Sequence, residues 1–409
     1  MASVLPQGLT TGQRIRALRE QRGMSQAVLG SLVGRSEGWV RAIESGRLQA
    51  PKLPMLVRLA EALRLTDLGV LIGGGLVLPP ELFAGTEHPA LSVVRQAVDS
   101  APLGLADGPP PSLDHVAAAL AAGWRARDTR GDHRTALAAL LPGLVSSASV
   151  AASHPEIRGD DARRAQVIYA SVLNLVQMFA AYQSDGHLVW RVAERSLATA
   201  RAAGDPAAIA QSAWFLTQAF REAGKWDSAA TMTEDALRLL DPVREDSPRL
   251  RAAWASMAWH AAITHARAGE SGVAWGWADR AEQAAAGLPA DWWSSPTSAS
   301  VTATAIHGVT VAVELQQPGT ALRWAEQLDG ATIPARPRRA RHLVEVARAH
   351  MMVGDHARVA ELVRAAITAA PETPRWNAET HTLVRGLLEG PAAVRPVARD
   401  LAVAVGIAA

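Results

Sequence analysis

Residues 34–38 read Gly-Arg-Ser-Glu-Gly, which matches the G-x-S-x-G pattern around the nucleophilic serine of many hydrolases. In that chemistry Ser36 would attack an acyl carbon. The pattern requires a strand directly before the serine, because the nucleophile sits on a sharp strand-to-helix turn. Here the preceding segment, SQAVLGSLVG, has the apolar spacing of a helix. The stretch therefore does not predict acyl transfer.

The same stretch carries glycines at positions 30, 34 and 38, a four-residue spacing typical of contact faces between membrane helices. Arg35, Glu37 and Arg41 lie within or beside that stripe, which argues against a bilayer. The longest uncharged apolar run, LGVLIGGGLVLPP at 68–80, is too short and too rich in glycine to span one. The N-terminus lacks the apolar segment of a secretory signal. We expect a cytoplasmic protein with no membrane partner.

Two short helices joined by a tight turn account for these residues better. Gly30 supplies a small side chain where a second helix crosses the first, and Gly34 lets the chain turn out of the first helix. Ser25 and Ser36 are placed to cap the two helices. The spacing predicts four core side chains, which are Leu29, Val33, Val40 and Ile43.

Residues 10–72 resemble the helix-turn-helix domain of the xenobiotic-response-element family, a lambda-repressor-like fold. Besides the hairpin, the resemblance rests on IRALREQRGMSQ (15–26), AIESG (42–46) and LVRLAEALRL (56–65). It implies a DNA-binding domain whose second hairpin helix enters the major groove, and an internal salt bridge between Arg19 and Glu44. Ten Arg/Lys against five Asp/Glu in residues 1–72, in a chain of net charge +2, agree with a nucleic-acid partner.

The recognition helix begins SEGWVRAIESG, and its inward residues leave a defined outer face. Glu37 suits a cytosine amino group and Arg41 a guanine edge, although each is equally explained as a solvated charge or a phosphate contact. Trp39 either packs on the DNA wall or shields the helix crossing. The predicted DNA-binding residues are Gln26, Ser36, Glu37, Gly38, Trp39, Arg41, Ala42, Arg47 and Lys52.

The resemblance assigns three of these residues, Gln26, Arg47 and Lys52, to phosphate contacts. Gly38 and Ala42 replace longer polar side chains that many relatives carry at the same positions. Few side chains of this helix can therefore contact bases directly. DNA shape or a second subunit would then contribute more of the sequence specificity.

Apolar residues recur at helical spacing along the rest of the chain, which predicts an all-α protein. Gly/Pro-rich breaks at 73–89 and 101–112 flank a short helix at 90–100. We expect a helix-turn-helix domain at 1–72, a linker with a bridging helix at 73–114, and a helical body at 115–409.

The body contains an irregular repeat, in which a glycine turn is followed by small residues five and twelve positions later. The turns are predicted at Gly131, Gly224, Gly269 and Gly354. This region resembles tetratricopeptide repeats over roughly 115–390, which implies an α-helical solenoid. A generic alanine-rich helical bundle is the alternative interpretation.

Four amides in otherwise apolar helices are candidate ligand-binding residues, namely Asn174, Gln177, Gln211 and Gln218. Buried amides that bond between helices explain them as well. Six of the 13 tryptophans fall within 254–293, where they suit either a ligand groove or a helix-pair core. The chain has no cysteine, and His260 and His265 do not share a helix face, so we expect no metal site.

Taken together, these features predict a DNA-binding transcriptional regulator that binds double-stranded operator DNA as a homodimer. The helical repeats would mediate dimerisation and sense a peptide or small-molecule effector. A protein–protein adaptor, such as an antitoxin-like scaffold with secondary DNA affinity, is the alternative. No catalytic triad, metal cluster or phosphate-binding loop is evident, so we expect neither an enzyme nor a cofactor.

Overall fold

The computed structural model describes residues 9–48, 51, 53–65, 68–72, 87–100, 108–183 and 185–407. Within these ranges the chain is helical, and no strand occurs among the described residues, as the sequence predicts. The N-terminal helices are α1 (Thr11–Gln21), α2 (Gln26–Leu32), α3 (Glu37–Glu44), α4 (Leu53–Ala62) and α5 (Gly69–Ile72). The bridging helix α6 (Leu91–Asp99) lies at the predicted position.

The body follows as helices that pair in sequence. They are α7 (Leu113–Thr129), α8 (His133–Ser153), α9 (Gly159–Ala180), α10 (Gly186–Ala203), α11 (Pro206–Glu222), α12 (Trp226–Leu240), α13 (Pro248–Ala268), α14 (Ser271–Ala286), α15 (Ala303–Glu314), α16 (Pro318–Glu326), α17 (Arg336–Met352), α18 (His356–Ala369), α19 (Glu372–Arg375), α20 (Ala378–Glu389) and α21 (Arg395–Val405). Each odd-numbered helix from α7 to α17 packs against the next even-numbered one, which gives six helical hairpins.

Left-handed turn residues close several of these hairpins. Gly224, Gly269 and Gly354 have φ of 68°, 84° and 80°, conformations that favour glycine. Gln316 holds the same position between α15 and α16 with φ of 59° and makes the same pair of turn hydrogen bonds. The glycine signal is therefore absent at this hairpin, although Ala321, five residues on, is fully buried as in the other units.

Small residues at the predicted spacings lie where paired helices approach. The side chains five and twelve positions after the turn glycines are at most 4% exposed, namely Ala229, Ala236, Ala274, Ala281, Val359 and Ala366. Small side chains on one helix face allow the partner helix to pack closely. The weaker unit after Gly131 differs, because its Ala136 is only half-buried.

The odd-numbered helices also pack on one another, and they form an inner layer that runs from α7 to α17. The two ends of this layer meet. The Glu372 carboxylate accepts hydrogen bonds from the backbone N–H of Arg134 at 2.6 Å and of Thr135 at 3.3 Å. The first hairpin of the body thus contacts α19, and α7 also packs against α17, so the inner layer closes on itself.

Helix α8 is, among the described helices, the one long and apolar enough to cross a membrane by length and composition. It packs against α6, α7 and α9. Its side chains Leu137, Leu141 and Val145 are fully buried in that cluster. The apolar face of α8 is therefore used for helix packing within the body.

Candidate nucleic-acid interface

The hairpin of α2 and α3 forms as its capping residues predict. The Ser25 hydroxyl accepts a hydrogen bond from the N–H of Val28 at 3.1 Å, and the Ser36 hydroxyl accepts one from the N–H of Trp39 at 3.2 Å. Each serine satisfies an N–H that has no partner within its helix. Between the helices, Gly34 has φ of 67°, which reverses the chain.

Two glycines allow the three helices to approach at backbone distance. A Cβ on Gly30 would lie 2.7 Å from the carbonyl oxygen of Arg35, and one on Gly12 would lie 2.1 Å from the carbonyl oxygen of Ile43. The sequence predicts the role of Gly30. It gives no comparable signal for Gly12, because a glycine in the first turn of a helix is unremarkable. Beneath this contact, the predicted core residues Leu29, Val33, Val40 and Ile43 are at most 4% exposed.

The outer face of α3 remains accessible. Ser36, Glu37, Gly38 and Arg41 are exposed, and so is Arg47 beyond the helix, whereas Trp39 and Ala42 are half-buried. The Trp39 ring packs against the domain core, 5.9 Å from the guanidinium of Arg35. Lys52 lies outside the described residues.

One chain of hydrogen bonds runs from the core of the domain to this face. The buried Glu44 binds Arg19 through both oxygens, at 2.6 and 2.9 Å, and accepts a bond from Gln26 Nε2 at 2.8 Å. Gln26 Oε1 in turn accepts from Arg41 Nε at 3.3 Å, and Arg41 also bonds Glu37. The hydrogen bonds that Arg19 donates to the Glu44 carboxylate raise the pKa of Arg19 above its ordinary value. The expected Arg19–Glu44 pair is thus present, and it orients two predicted DNA contacts.

The energies of these contacts leave Arg41 free to bind a base. An exposed ion pair between residues four apart on a helix contributes about 0.3–0.5 kcal/mol. A good bidentate pair with a base is worth about 1–3 kcal/mol of discrimination against the wrong base, so the pair with Glu37 is weak by comparison. The Gln26 amide uses one of its two hydrogens on Glu44, and the second can donate to a phosphate.

The side of the domain formed by α2 is docked on the body. Val28 and Leu32 pack against the apolar cluster around α17, α18 and α20. The Ser31 hydroxyl donates to the carbonyl oxygen of Met351 in α17. Because docking uses α2 and not α3, the outer face of α3, with Glu37, Gly38 and Arg41, stays exposed.

Ion pairs reinforce this docking surface. Glu389 of α20 binds both Arg58 and Arg35, and it lies 3.3 Å from the latter. Arg64 pairs with the buried Glu314 of α15, and burial lowers the pKa of Arg64 well below its ordinary value. Ser36 and Glu389 both line an open cleft of about 290 Å³ between the domain and the body. Sequence reasoning missed these pairs, whose members lie hundreds of positions apart.

The four predicted ligand-binding amides do not form one site. Asn174 is 1% exposed and accepts from Ser196 at 2.7 Å, while Gln177 is 3% exposed and donates to the carbonyl oxygen of Phe215 at 2.8 Å. Both therefore bond between helices, which was the alternative interpretation. Gln218 is half-buried. Gln211 lines a small cavity of about 50 Å³ between α11 and α13.

The tryptophans at 254–293 are of two kinds, some in the helix-pair core and some beside a cavity. Trp254 and Trp259 are 6% and 2% exposed and belong to the core. Trp292 lines the same small cavity as Gln211, and its indole nitrogen has no hydrogen-bond partner among the described residues. Within the described part of the chain, no group of three or more His, Asp or Glu side chains is placed to hold a metal ion.

Comparison with known families agrees with the geometry of the N-terminal domain. A family model for a helix-turn-helix domain matches residues 11–70. This segment contains α1 to α4 and the first two residues of α5, and so covers the hairpin and its supporting helices. No curated protein shows significant similarity to the chain.

Proposed function

We propose that this chain is a sequence-specific transcriptional regulator of the xenobiotic-response-element type, which acts in the cytoplasm and has no catalytic activity. The N-terminal domain is a helix-turn-helix domain, and α3 would bind base edges in the major groove. The observation that carries the proposal is the exposed face of α3, where Arg41 donates to Gln26 at the start of α2, and Gln26 in turn donates to the buried Glu44.

One hairpin contacts only a few base pairs, so we propose that the protein binds as a homodimer on a twofold site. In proteins of this class the two recognition helices lie about 34 Å apart, one turn of DNA. The body, which resembles a tetratricopeptide solenoid, would mediate dimerisation and bind the effector. The inner layer formed by α7, α9, α11, α13, α15 and α17 is the surface we propose for a peptide or small-molecule effector.

The experiment that tests this proposal is binding of the purified chain to DNA from upstream of its own gene. A random duplex of equal length serves as the control, and both are titrated across salt concentrations. We expect tighter binding to the upstream DNA, with an affinity that falls steeply with salt on both duplexes because phosphate contacts release counterions. Equal, weak binding to both, together with tight binding of a partner protein, would instead favour an adaptor.

A further inference from the structure

A row of alternating charges joins the helix-turn-helix domain to the inner layer of the body. Arg64, which follows α4, binds the carboxylate of Glu314 at the end of α15. Glu314 lies 3.4 Å from Arg348 of α17, and Arg348 lies 2.8 Å from Glu345 in the preceding turn of the same helix. Glu345 also binds Arg341, at 2.7 Å. We name these five residues, Arg64, Glu314, Arg348, Glu345 and Arg341, the charge row.

The charge row lies almost entirely out of water. The side chains of Glu314 and Glu345 are 0% and 1% exposed, and those of Arg64 and Arg348 are 13% and 9% exposed. Charges interact more strongly in such surroundings than at the surface. Because Glu314, Arg348 and Glu345 each have a partner on both sides, a change in one pair of the row alters the next.

Arg64 occupies a position at which the backbone favours glycine. Its φ is 51°, and the N–H of Leu65 donates to the carbonyl oxygen of Ala60 at 2.8 Å, as in the glycine turns that end other helices of this chain. Bulky residues adopt this conformation rarely, and the strain is found mainly at functional and switch positions. A glycine would form the turn without strain, but it could not reach Glu314.

Withdrawal of Arg64 from the body would not leave a buried carboxylate unpaired. Glu314 also binds Arg267 of α13 at 3.2 Å, and it keeps both Arg267 and Arg348 when Arg64 leaves. Loss of the last partner of a buried charge is strongly destabilising, but here two partners remain. The docked Arg64 is itself incompletely satisfied, since its Nη2 atom is buried and has no hydrogen-bond partner among the described residues. The geometry therefore permits two states of similar free energy, as a switch requires.

We propose that the charge row is a latch that sets whether the helix-turn-helix domain is docked on the body, and that Arg341 controls this latch from the inner layer. Arg348 is shared between Glu314 and Glu345. When Arg341 leaves Glu345, Arg348 is drawn toward Glu345, and Glu314 binds Arg64 more strongly. When Glu345 loses its charge, Arg348 turns to Glu314 and competes with Arg64. The effects alternate in sign along the row because the charges do.

The inner end of the row is the point at which an effector would act. Arg341 donates a hydrogen bond to the hydroxyl of Tyr182, and its guanidinium lies 5.1 Å from the centroid of the Tyr182 ring. Tyr182 is 42% exposed. An effector group that pairs with Arg341 beside this ring would favour the docked state. This regulatory role rests on the proposed function, but docking is measured without DNA or effector, so the two proposals fail independently.

The test measures the distance between the domain and the body in the full chain by energy transfer. The chain has no cysteine, so Ser45→Cys and Glu361→Cys, at two exposed positions, give unique sites for fluorescent labels. Labelled chains are diluted with unlabelled ones, so that distances within one chain are measured. Potassium chloride is titrated to weaken the more exposed pair of Arg35 with Glu389 and release the domain. Arg64→Gly, which removes the latch and suits the turn, should be released at a severalfold lower salt concentration than the wild type.

Two substitutions within the row separate a latch from a merely structural role. Arg341→Met should raise the salt concentration at half-release severalfold, whereas Glu345→Gln should lower it. Neither leaves a member of the row unpaired. Glu345 keeps Arg348 in the first variant, and both arginines keep Glu379, at 3.0 and 3.2 Å, in the second. Loss of a structural ion pair would instead loosen the docking in both variants.

Arg127→Met is the matched control, because it breaks a buried pair of the inner layer, with Asp128, that lies outside the charge row. We expect it to be released at the wild-type salt concentration. Circular dichroism at each half-release point separates release from unfolding. The proposal is overturned if Arg64→Gly stays docked as the wild type does, or if Arg341→Met and Glu345→Gln shift the half-release point in the same direction.

Discussion

The guanidinium of Arg35 lies 3.3 Å from the carboxylate of Glu389, so a positive charge just before α3 forms an ion pair with the last residue of α20. Arg35 directly precedes Ser36, the N-cap of α3. Glu389 also binds Arg58, and a single carboxylate thus holds two basic groups of the helix-turn-helix domain. DNA phosphates would compete with Glu389 for these groups.

Substitution of Glu389 should therefore strengthen DNA binding. We expect Glu389→Gln to raise affinity by about threefold to tenfold at low salt, because it removes a negative charge beside the DNA path and frees Arg35. Fluorescence anisotropy at two salt concentrations measures the effect, which should shrink as salt rises. Asp235→Asn, which breaks an exposed pair on α12, should leave affinity unchanged. Weaker binding of Glu389→Gln would contradict the competition.

Arg41 is expected to supply base specificity. Arg41→Ala should weaken binding to the upstream DNA by about 1–3 kcal/mol, because a bidentate contact to guanine is lost. Binding to random DNA should fall much less. Arg16→Ala is the matched control, since Arg16 also forms an exposed i,i+4 pair, with Glu20 on α1. An equal loss on both duplexes would show that Arg41 contacts phosphate and not a base.

The two glycines of the hairpin region should respond oppositely to alanine. A Cβ on Gly30 would meet the backbone oxygen of Arg35 at 2.7 Å, so Gly30→Ala should destabilise the hairpin by about 1–3 kcal/mol. Among the described residues, the atom nearest to a Cβ on Gly38 is Ser36 Oγ at 3.8 Å, and Gly38→Ala should be neutral or stabilising by up to about 1 kcal/mol. Hydrogen exchange of peptides covering 26–44 measures both. Similar protection in the two variants would disprove the close approach.

Stability should fall on acidification because His342 in α17 is 3% exposed. Burial and the charge of Arg338 lower the pKa of His342 from 6.5 to about 4, so between these values the unfolded chain binds a proton that the folded chain does not. This group alone should cost about 2 kcal/mol between pH 7 and pH 5. Urea unfolding at the two pH values should show a smaller loss for His342→Gln. An identical loss in the variant would mean that His342 is not held neutral.

The hairpin could be predicted because its signals are local. Gly30, Gly34, Ser25 and Ser36 lie within twelve positions of one another, and each fulfils a backbone requirement that only a few residue types meet. The turns of the body follow the same logic. Where Gln316 takes the left-handed conformation in place of glycine, the signal disappears although the turn remains.

Contacts between distant segments left no comparable signal. Arg64 and Glu314 each stand in an ordinary helical pattern, and nothing in either pattern indicates that the two meet. The amides show the same limit, since Gln177 and Gln211 both occur in apolar helices, yet one is buried between helices and the other lines a cavity. Which side of a helix faces a cavity depends on how the hairpins stack.

The contact of Glu372 with the N-terminus of α8 also bears on how the protein acquires its structure. An open repeat array can begin to fold at any unit and extend to its neighbours. Here, the hairpin of α7 and α8 cannot complete its contacts until a segment more than 230 residues downstream has been synthesised. Contacts of such long sequence separation slow folding. Completion of the body therefore depends on synthesis of nearly the whole chain, and the terminal hairpins are protected from fraying once the contact has formed.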